Sequence, residues 1–512
     1  MELVPHSDRD QMFMTSLDMM VDPDSVVRLI DVFLDYMDTL DLPFIQHKCH
    51  TGRPAFPNRV LIGIYVYGYL NRIRSSRQLD KACKTNVELF WLNKNLKPCY
   101  KTIANFRKDN AEGFRKLFVA FRNFCKELDL YGKQVIAIDG SKFRGQNSMK
   151  NNYNIRKINK HLEHIEDQHK AYLQSLDSND IDEEKINRLN KRRSKYLDLK
   201  AQLDNTEETQ ISTTDPDTRS LPLRMRIVQV GYNLQSVVDD KHNLIVDYQI
   251  TNKNDHRALA PMALKAKQAL GLQEDDSLTV LADKGYHTGE QMQTCHDHNI
   301  NTIVAIPRRP KRTDKSKPLH LRKENFVYNK QTQTYTCPNN KVLNKQATYK
   351  RKDKKGNPSG IFDRYTIQYS ICKNCQFLKK CVSKSNQERH HGRYIDRYHT
   401  DTAVTKNKLQ VDNNKALYKK RQAIVEHPFG TIKRQWGFDH TLMKTISKVQ
   451  TEFSIIMLCY NLRRAMSILG TSTLKMALKE LDLILLNITA ILEALMHRQN
   501  ILRQQHTQTT TA

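Results

Sequence analysis

Three carboxylates stand out by their settings. Asp139 closes the β-branched run of "KQVIAIDGSKF", Asp283 closes "SLTVLADKGY", and Glu426 lies in "IVEHPFGTIKRQWGF", with His427, Lys433 and Arg434 close behind it. In open α/β sheets, reacting groups collect at strand ends because the loops there splay apart. A lone aspartate in such a place commonly serves a turn, and "IDGS" and "ADKG" are good turn sequences. Repetition at two strand ends favours a shared cleft instead. The chain holds 83 Lys and Arg against 55 Asp and Glu, a net charge of +28, which biases it toward a polyanion. Three acids facing a polyanion repel both it and one another, and divalent ions resolve the conflict. Two Mg²⁺ held by carboxylates activate a water or a 3′-hydroxyl on one side of a phosphodiester and stabilise the leaving oxygen on the other. Barrier reductions on the order of 20 kcal/mol are needed for so inert a bond, and metals and bases are a fitting supply.

Other residues compete for attention. Asp215, Asp240 and Asp255, in "TTDPDTRS", "VVDDKHN" and "KNDHRAL", are rival acids in loop or hairpin positions where a turn role suffices. Glu426 itself could be an acid of a charge-laced surface helix, paired to a neighbouring base. Four of the ten cysteines, Cys337 in "TCPNNK" and Cys372, Cys375 and Cys381 in "ICKNCQFLKKC", offer enough thiolates for a tetrahedral structural zinc. With a single Cys-x-x-Cys knuckle, free surface thiols are the alternative. The remaining six cysteines are scattered, mostly among apolar neighbours, and read as packing residues.

The elements that must position the acids follow from periodicity. Residues 20–130 are helical in pattern, and "PCYKTIANFRKDNAEGFRKLFVAFRNFCKEL" reads as one long amphipathic helix. Basic loops between the helices carry Arg53, Arg74 and Arg77, and the last helix carries Arg107, an arrangement that suits DNA docking or a solvated charged face. From residue 133 the pattern becomes strand, hairpin ("VGYNLQSVVDD" with "NLIVDYQITN"), helix, strand, helix, strand, which is an α/β domain with a mixed sheet. Two segments interrupt it. Apolar positions between about 152 and 205 keep a three-four rhythm on both sides of "DSNDID", as in an antiparallel helical hairpin. From 306 to about 410 the chain is polar, basic and short of periodicity. Beyond it, Pro428 should bend the helix that carries Glu426.

At 512 residues and 39% hydrophobic content, the chain implies two or three domains with well-supplied cores. "MELVPHSDRDQ" has no pattern of a secretory leader, and the apolar stretch at 481–497 is too short and polar to span a bilayer, so a cytoplasmic protein is expected.

"IDGSKFRGQNS", "LADKGYHTGEQM" and "IVEHPFGTIKRQWGF" resemble, in order, the three acidic motifs of the DDE-type transposases of bacterial insertion sequences, and the likeness spans about 20–465. It implies an RNase H-like catalytic domain over 131–465, holding a helical-hairpin insertion at about 150–210 and a basic Cys-containing insertion at 306–410. A helical DNA-binding domain at 1–130 precedes it and a helical region at 466–512 follows. It also implies that Asp139, Asp283 and Glu426 are the catalytic triad, binding two Mg²⁺ with Mn²⁺ able to substitute. Lys433, seven residues after Glu426, matches a Tyr, Arg, Glu, Lys signature of related transposases, while Tyr418 and Arg421 each stand one residue further upstream than that pattern asks. With Arg434, Lys142 and Lys284 beside the acids, these are the expected DNA contacts. The implied activity is cut-and-paste transposition on double-stranded DNA, at transposon ends and target, by at least a homodimer. A non-catalytic DNA-binding regulator and a nuclease without strand transfer are the competing functions.

Overall fold

The computed structural model describes residues 10–484, apart from 11, 13, 47–53, 175–181, 207, 223–227, 308–317, 319–320 and 353–357. Apolar residues at helical spacing first build α1 (Val26–Asp38), α2 (Asn58–Leu70), α3 (Ser76–Thr85), α4 (Val87–Leu92), α5 (Tyr100–Asp109) and α6 (Ala111–Glu127). Ser25 and Asn86 cap α1 and α4 by accepting backbone N–H groups. α2 is apolar around its circumference and buried from Val60 to Leu70. The single long helix expected after Pro98 is broken at Asn110. That side chain accepts the Ile45 N–H at 2.7 Å and donates to the Phe106 carbonyl at 2.9 Å, and its backbone (φ −111, ψ 45) leaves the helical region between α5 and α6. Asparagine competes with the helix for backbone partners, and here the competitor won.

Next come β1 (Val135–Arg144), β2 (Asn152–Tyr153), α7 (Ile155–Gln174), α8 (Glu183–Asp204), β3 (Ile211–Ser212), β4 (Arg219–Pro222), β5 (Val228–Asp239) and β6 (Ile245–Thr251). β1 pairs antiparallel with β5, which also pairs with β4 and β6. β1 does not end at Asp139 as its sequence suggested. Gly140 through Arg144 continue opposite Gln235 through Gly231, so Asp139 lies mid-strand. Gly231 permits this, because a Cβ there would collide with the Phe143 carbonyl oxygen. α7 and α8 run antiparallel: His161 stacks on Tyr196 (4.6 Å between centroids), and nearer the tip Lys185 lies over Tyr172. Their shared core is Tyr153, Ile158, Ile165, Leu189, Tyr196, Leu199 and Leu203.

The chain then forms α9 (Leu259–Leu270), β7 (Leu278–Ala282), α10 (Gly289–Asp297) and β8 (Ile300–Val304), with β7 and β8 parallel as a strand-helix-strand unit requires. The polar stretch thought to lack periodicity holds a sheet. β9 (Val327–Asn329), β10 (Thr334–Thr336), β11 (Val342–Lys352), β12 (Pro358–Thr366), the short helices α11 (Tyr369–Lys373), α12 (Leu378–Cys381) and α13 (Lys384–Glu388), and β13 (Tyr394–Tyr398) follow in turn. The five strands pair antiparallel in the order β13-β12-β11-β10-β9 around Phe326, Tyr335, Leu343, Tyr365, Ile367 and Ile395. Lysine and arginine on β11 hid the alternation. α14 (Asp401–Asn413), α15 (Lys415–Phe429) and α16 (Ile446–Leu469) complete the labelled elements, and 471–484 are again helical.

By internal contacts one compact unit comprises Met1–Asn254, Gln268–Leu272 and Gln422–Ala512, and a second comprises Asp255–Lys267 and Gln273–Arg421. No helix among the described residues is long and apolar enough to cross a membrane, and of the stretch 481–497 the part from 485 on lies outside the described residues.

The first unit is held by a buried ion pair. Glu452 on α16 has no solvent exposure; it bonds Arg74, itself buried, at 3.0 Å, and accepts the N–H groups of Leu442 and Met443. Removing one partner of such a pair strands the other charge in the interior. Glu452→Ala should therefore lower stability by about 3–5 kcal/mol, read as a leftward shift of the urea unfolding midpoint with a similar slope.

Candidate functional site

Asp139 sits half-exposed on β1 opposite Ser236 of β5. Glu426 lies exposed on α15, where one carboxylate oxygen accepts from the Gln422 amide at 2.9 Å. α15 runs through Pro428, which has no N–H to give, and the helix continues as a wider π-type turn over Gly430–Gln435, with the Trp436 N–H on the Thr431 carbonyl at 2.9 Å. That turn sets Lys433 against β1. Its Nζ donates to the Lys142 carbonyl at 2.6 Å and lies 4.1 Å from the centre of the Phe143 ring. Burial pushes the Lys433 amine down to about 8, against the pull of the Asp439 and Asp139 carboxylates and with help from Lys142. The first and third motifs therefore meet on β1. Past the turn, the Arg144 N–H donates to the Asp439 carbonyl at 3.3 Å and the Thr441 N–H to the Arg144 carbonyl at 2.8 Å, which extends the contact to the end of β1.

The second motif belongs to the other unit. Asp283 follows β7 and accepts the Lys284 N–H at 2.5 Å, so it does cap its own turn; Lys284 is exposed and Tyr286 buried. Among the rival acids, Asp255 borders this same turn, since a Cβ on Gly285 would stand 3.7 Å from its Oδ2. Asp215 is fully buried and accepts the Tyr232 hydroxyl at 2.7 Å and the Thr445 N–H at 3.0 Å, a structural role. Asp240 sits after β5, its N–H on the Val135 carbonyl.

Carboxylates are hard oxygen donors suited to Mg²⁺. Among the described residues, no three His, Cys, Asp or Glu are gathered closely enough to hold a metal ion. The acids thus supply the right donor chemistry without forming a ready cage. The four cysteines of the second unit, none of them in a disulfide, line one cavity with Leu343 and Phe377. Burial raises the Cys372 thiol above its usual range, and Cys375 and Cys337 beside it add to the rise.

Several expected DNA contacts sit elsewhere than foreseen. Arg74 donates to the His440 carbonyl at 2.5 Å and to Glu452, and Arg107 donates to the Tyr69 hydroxyl at 2.9 Å and the Arg74 carbonyl at 3.3 Å. Both are buried, and a guanidinium with these internal partners braces the protein and offers nothing to a surface. Arg77 lies over the Tyr100 ring (5.4 Å), Arg421 over Tyr418 (5.8 Å), Arg434 is exposed and Lys142 half-exposed, whereas Arg53 lies outside the described residues. Sequence reasoning passed over Glu452, which orders the loop after the third motif. A lone acid inside "EFSIIMLCYNL" was the available signal.

Two families match. Residues 229–462 match the family described as "Transposase DDE domain", and residues 15–109 match "Transposase domain (DUF772)". The chain belongs to the DDE-type transposases of insertion-sequence type. Enzymes of this family act in DNA transposition and are generally divalent-metal dependent. The first match contains Asp283 and Glu426; Asp139 lies outside both. No curated protein matches. Among solved structures, a piggyBac transposase synaptic complex with hairpin DNA is similar at 10% identity and a TM-score of 0.30, over 90% of this chain and 78% of that one, too weak a likeness to carry an argument.

The Lys433 amine sets a pH dependence. Its folded value, about 8, lies below the ordinary 10.5, so between these the unfolded chain holds a proton that the folded chain has released and stability rises with pH. Below pH 8 the cost of the buried charge is fully present. Lys433→Met should thus be more stable than wild type by ~2 kcal/mol at pH 7, with the gap narrowing by pH 9.5 in paired urea titrations.

Proposed function

We propose that this transposase binds the terminal inverted repeats of its own insertion sequence and moves it by cut-and-paste through an RNase H-like catalytic domain. Asp139, Asp283 and Glu426 form the catalytic triad in this reading. The observation that carries it is Lys433 of the third motif, docked on β1 beside Asp139 by its bond to the Lys142 carbonyl. The order of the acidic motifs along the chain supports it too.

Divalent ions, Mg²⁺ or Mn²⁺, held by the three carboxylates would offset phosphate charge and activate the attacking oxygen. The residues of the chain do the rest. In cleavage, a water oxygen bonds to phosphorus, the P–O3′ bond breaks and the leaving oxygen takes a proton. In joining, the freed 3′-hydroxyl attacks a target phosphodiester, whose own 3′-oxygen departs. Arg434, Lys142, Lys284, Arg421 and Tyr418 would hold the strand near these steps, and Arg77 with the rest of 1–130 would dock the end sequence. Bringing two ends together calls for at least a homodimer. The net charge of +28 supports a double-stranded DNA partner.

Glu426→Gln and Asp139→Asn should bind end DNA as wild type does and lower Mg²⁺-dependent cleavage and joining by about 10³-fold or more, scored on labelled DNA carrying the inverted repeats. Equal cutting by wild type and both variants would end the triad assignment. Wild type that binds but never cuts would turn the reading into that of a regulator.

Zinc on Cys337, Cys372, Cys375 and Cys381 is proposed as a structural site, supported by the four thiols on one cavity, although no three of them stand close enough together there to hold an ion as placed. Purified protein should carry about one zinc per chain and lose thermal stability on chelation. Cys375→Ser should carry none; equal metal content in that variant would remove the assignment.

A further inference from the structure

One residue past Glu426, His427 opens onto a cavity that the triad does not use. It measures about 160 Å³, several times the ~30 Å³ share of a liquid water, and is lined by His427, Thr431, Gln435, Arg463, Arg464 and Ser467 with Tyr460. Three elements build it, with His427 supplied by α15. The π-type turn after α15 contributes Thr431 and Gln435, and the last turns of α16 contribute the two arginines and Ser467. None of the lining residues is acidic.

The cavity is braced. Arg464 Nε donates to the His242 carbonyl at 2.7 Å, which fixes the guanidinium and leaves its two terminal nitrogens. The Tyr460 hydroxyl donates to the Asn243 carbonyl at 2.8 Å, so its oxygen accepts from His427 Nδ1 at 2.7 Å and holds that ring in place. The Thr431 and Ser467 hydroxyls give their protons to the carbonyls of His427 and Arg463, respectively. Among the described residues, the donors left without a partner are therefore the Arg463 guanidinium, the Arg464 terminal nitrogens and the Gln435 amide. Neither arginine has a carboxylate partner among the described residues. Two guanidinium groups on one cavity repel each other unless an anion lies between them, and their planar forks match tetrahedral oxyanions.

We propose that this cavity binds a phosphate group. The group could come from the backbone of a DNA strand, which rests on the transposase reading, or from free phosphate, which does not. The test has an arm for each source, run on the full chain as wild type, Arg463→Gln, and Arg463→Gln with Arg464→Gln. Arg463 is exposed, so its single variant keeps the fold even if loss of the His242 contact weakens the double one. In the first arm, the thermal midpoint is followed in inorganic phosphate against chloride at equal ionic strength. The site predicts a rise in wild type that is lost in Arg463→Gln. In the second arm, the dependence of duplex DNA affinity on salt is measured, and one backbone phosphate in the cavity predicts that the log–log slope falls by about 0.9 in total once the arginines are removed.

A slope that falls identifies the DNA backbone as the source. A phosphate-specific rise lost in Arg463→Gln, with an unchanged slope, identifies free phosphate. No phosphate effect together with an unchanged slope overturns the proposal. Should wild type bind no DNA at all, the transposase reading fails, while the first arm still decides the cavity.

Discussion

The first unit depends on a carboxylate with no access to water. Glu452 is tolerable in the middle of an apolar helix only because Arg74 and two backbone N–H groups satisfy it. Each partner belongs to a different stretch of chain: Arg74 stands between α2 and α3, and Leu442 and Met443 follow the third motif. Arg74 also takes the His440 carbonyl and lies 4.7 Å from the centre of the Phe438 ring, which in turn meets Tyr69 edge-on. One buried charge thus ties the amino-terminal helices, α16 and the loop beyond Glu426 together. That loop continues to the end of β1, where the Gln146 amide donates to the Thr441 carbonyl. The geometry around Asp139 is accordingly set by packing well away from it.

The basic character of the chain divides into two populations. Arg74, Arg107 and Lys433 are taken up by internal partners, and they serve the fold. Arg434, Lys284 and Arg463 are exposed, and on the readings proposed above they are the ones left for an anionic ligand. The excess of 28 positive charges is a property of the whole composition and does not say which bases fall in which group. An arginine is worth most to a protein interior where its fork meets carbonyls and a carboxylate together, and that is the setting of Arg74.

Much of the architecture was legible in the sequence because it is local. The β5–β6 hairpin, the α7–α8 pair and the strand-helix-strand from β7 to β8 each declare themselves by periodicity over a few residues. What escaped was non-local or decided by a single residue. β1 outruns its apolar run because β5 offers a partner strand as far as Gly231, a fact of pairing that the residues "GSKFR" do not display. Asn110 splits a helix by bonding to Ile45, 65 positions away. The sheet from β9 to β13 was hidden by lysines and arginines that cover its strands. The three acids were singled out from their strand and helix contexts, but the burial of Arg74 and Arg107 could not be read without Glu452, 378 positions from Arg74.

The π-type turn has a consequence in the arithmetic of helices. In a regular α-helix, seven residues make nearly two turns, so Glu426 and Lys433 would share a face to within about 20°. Here the turn over Gly430–Gln435 holds an extra residue, and the two side chains part: one is open to solvent, the other lies on β1. The spacing of seven is therefore a count along the chain with no fixed direction in space. A one-residue deletion within 430–435 would restore the regular helix and swing every following side chain by about 100°. Trp436 and Phe438 would leave the core together, so the length of this turn is constrained as tightly as its chemistry.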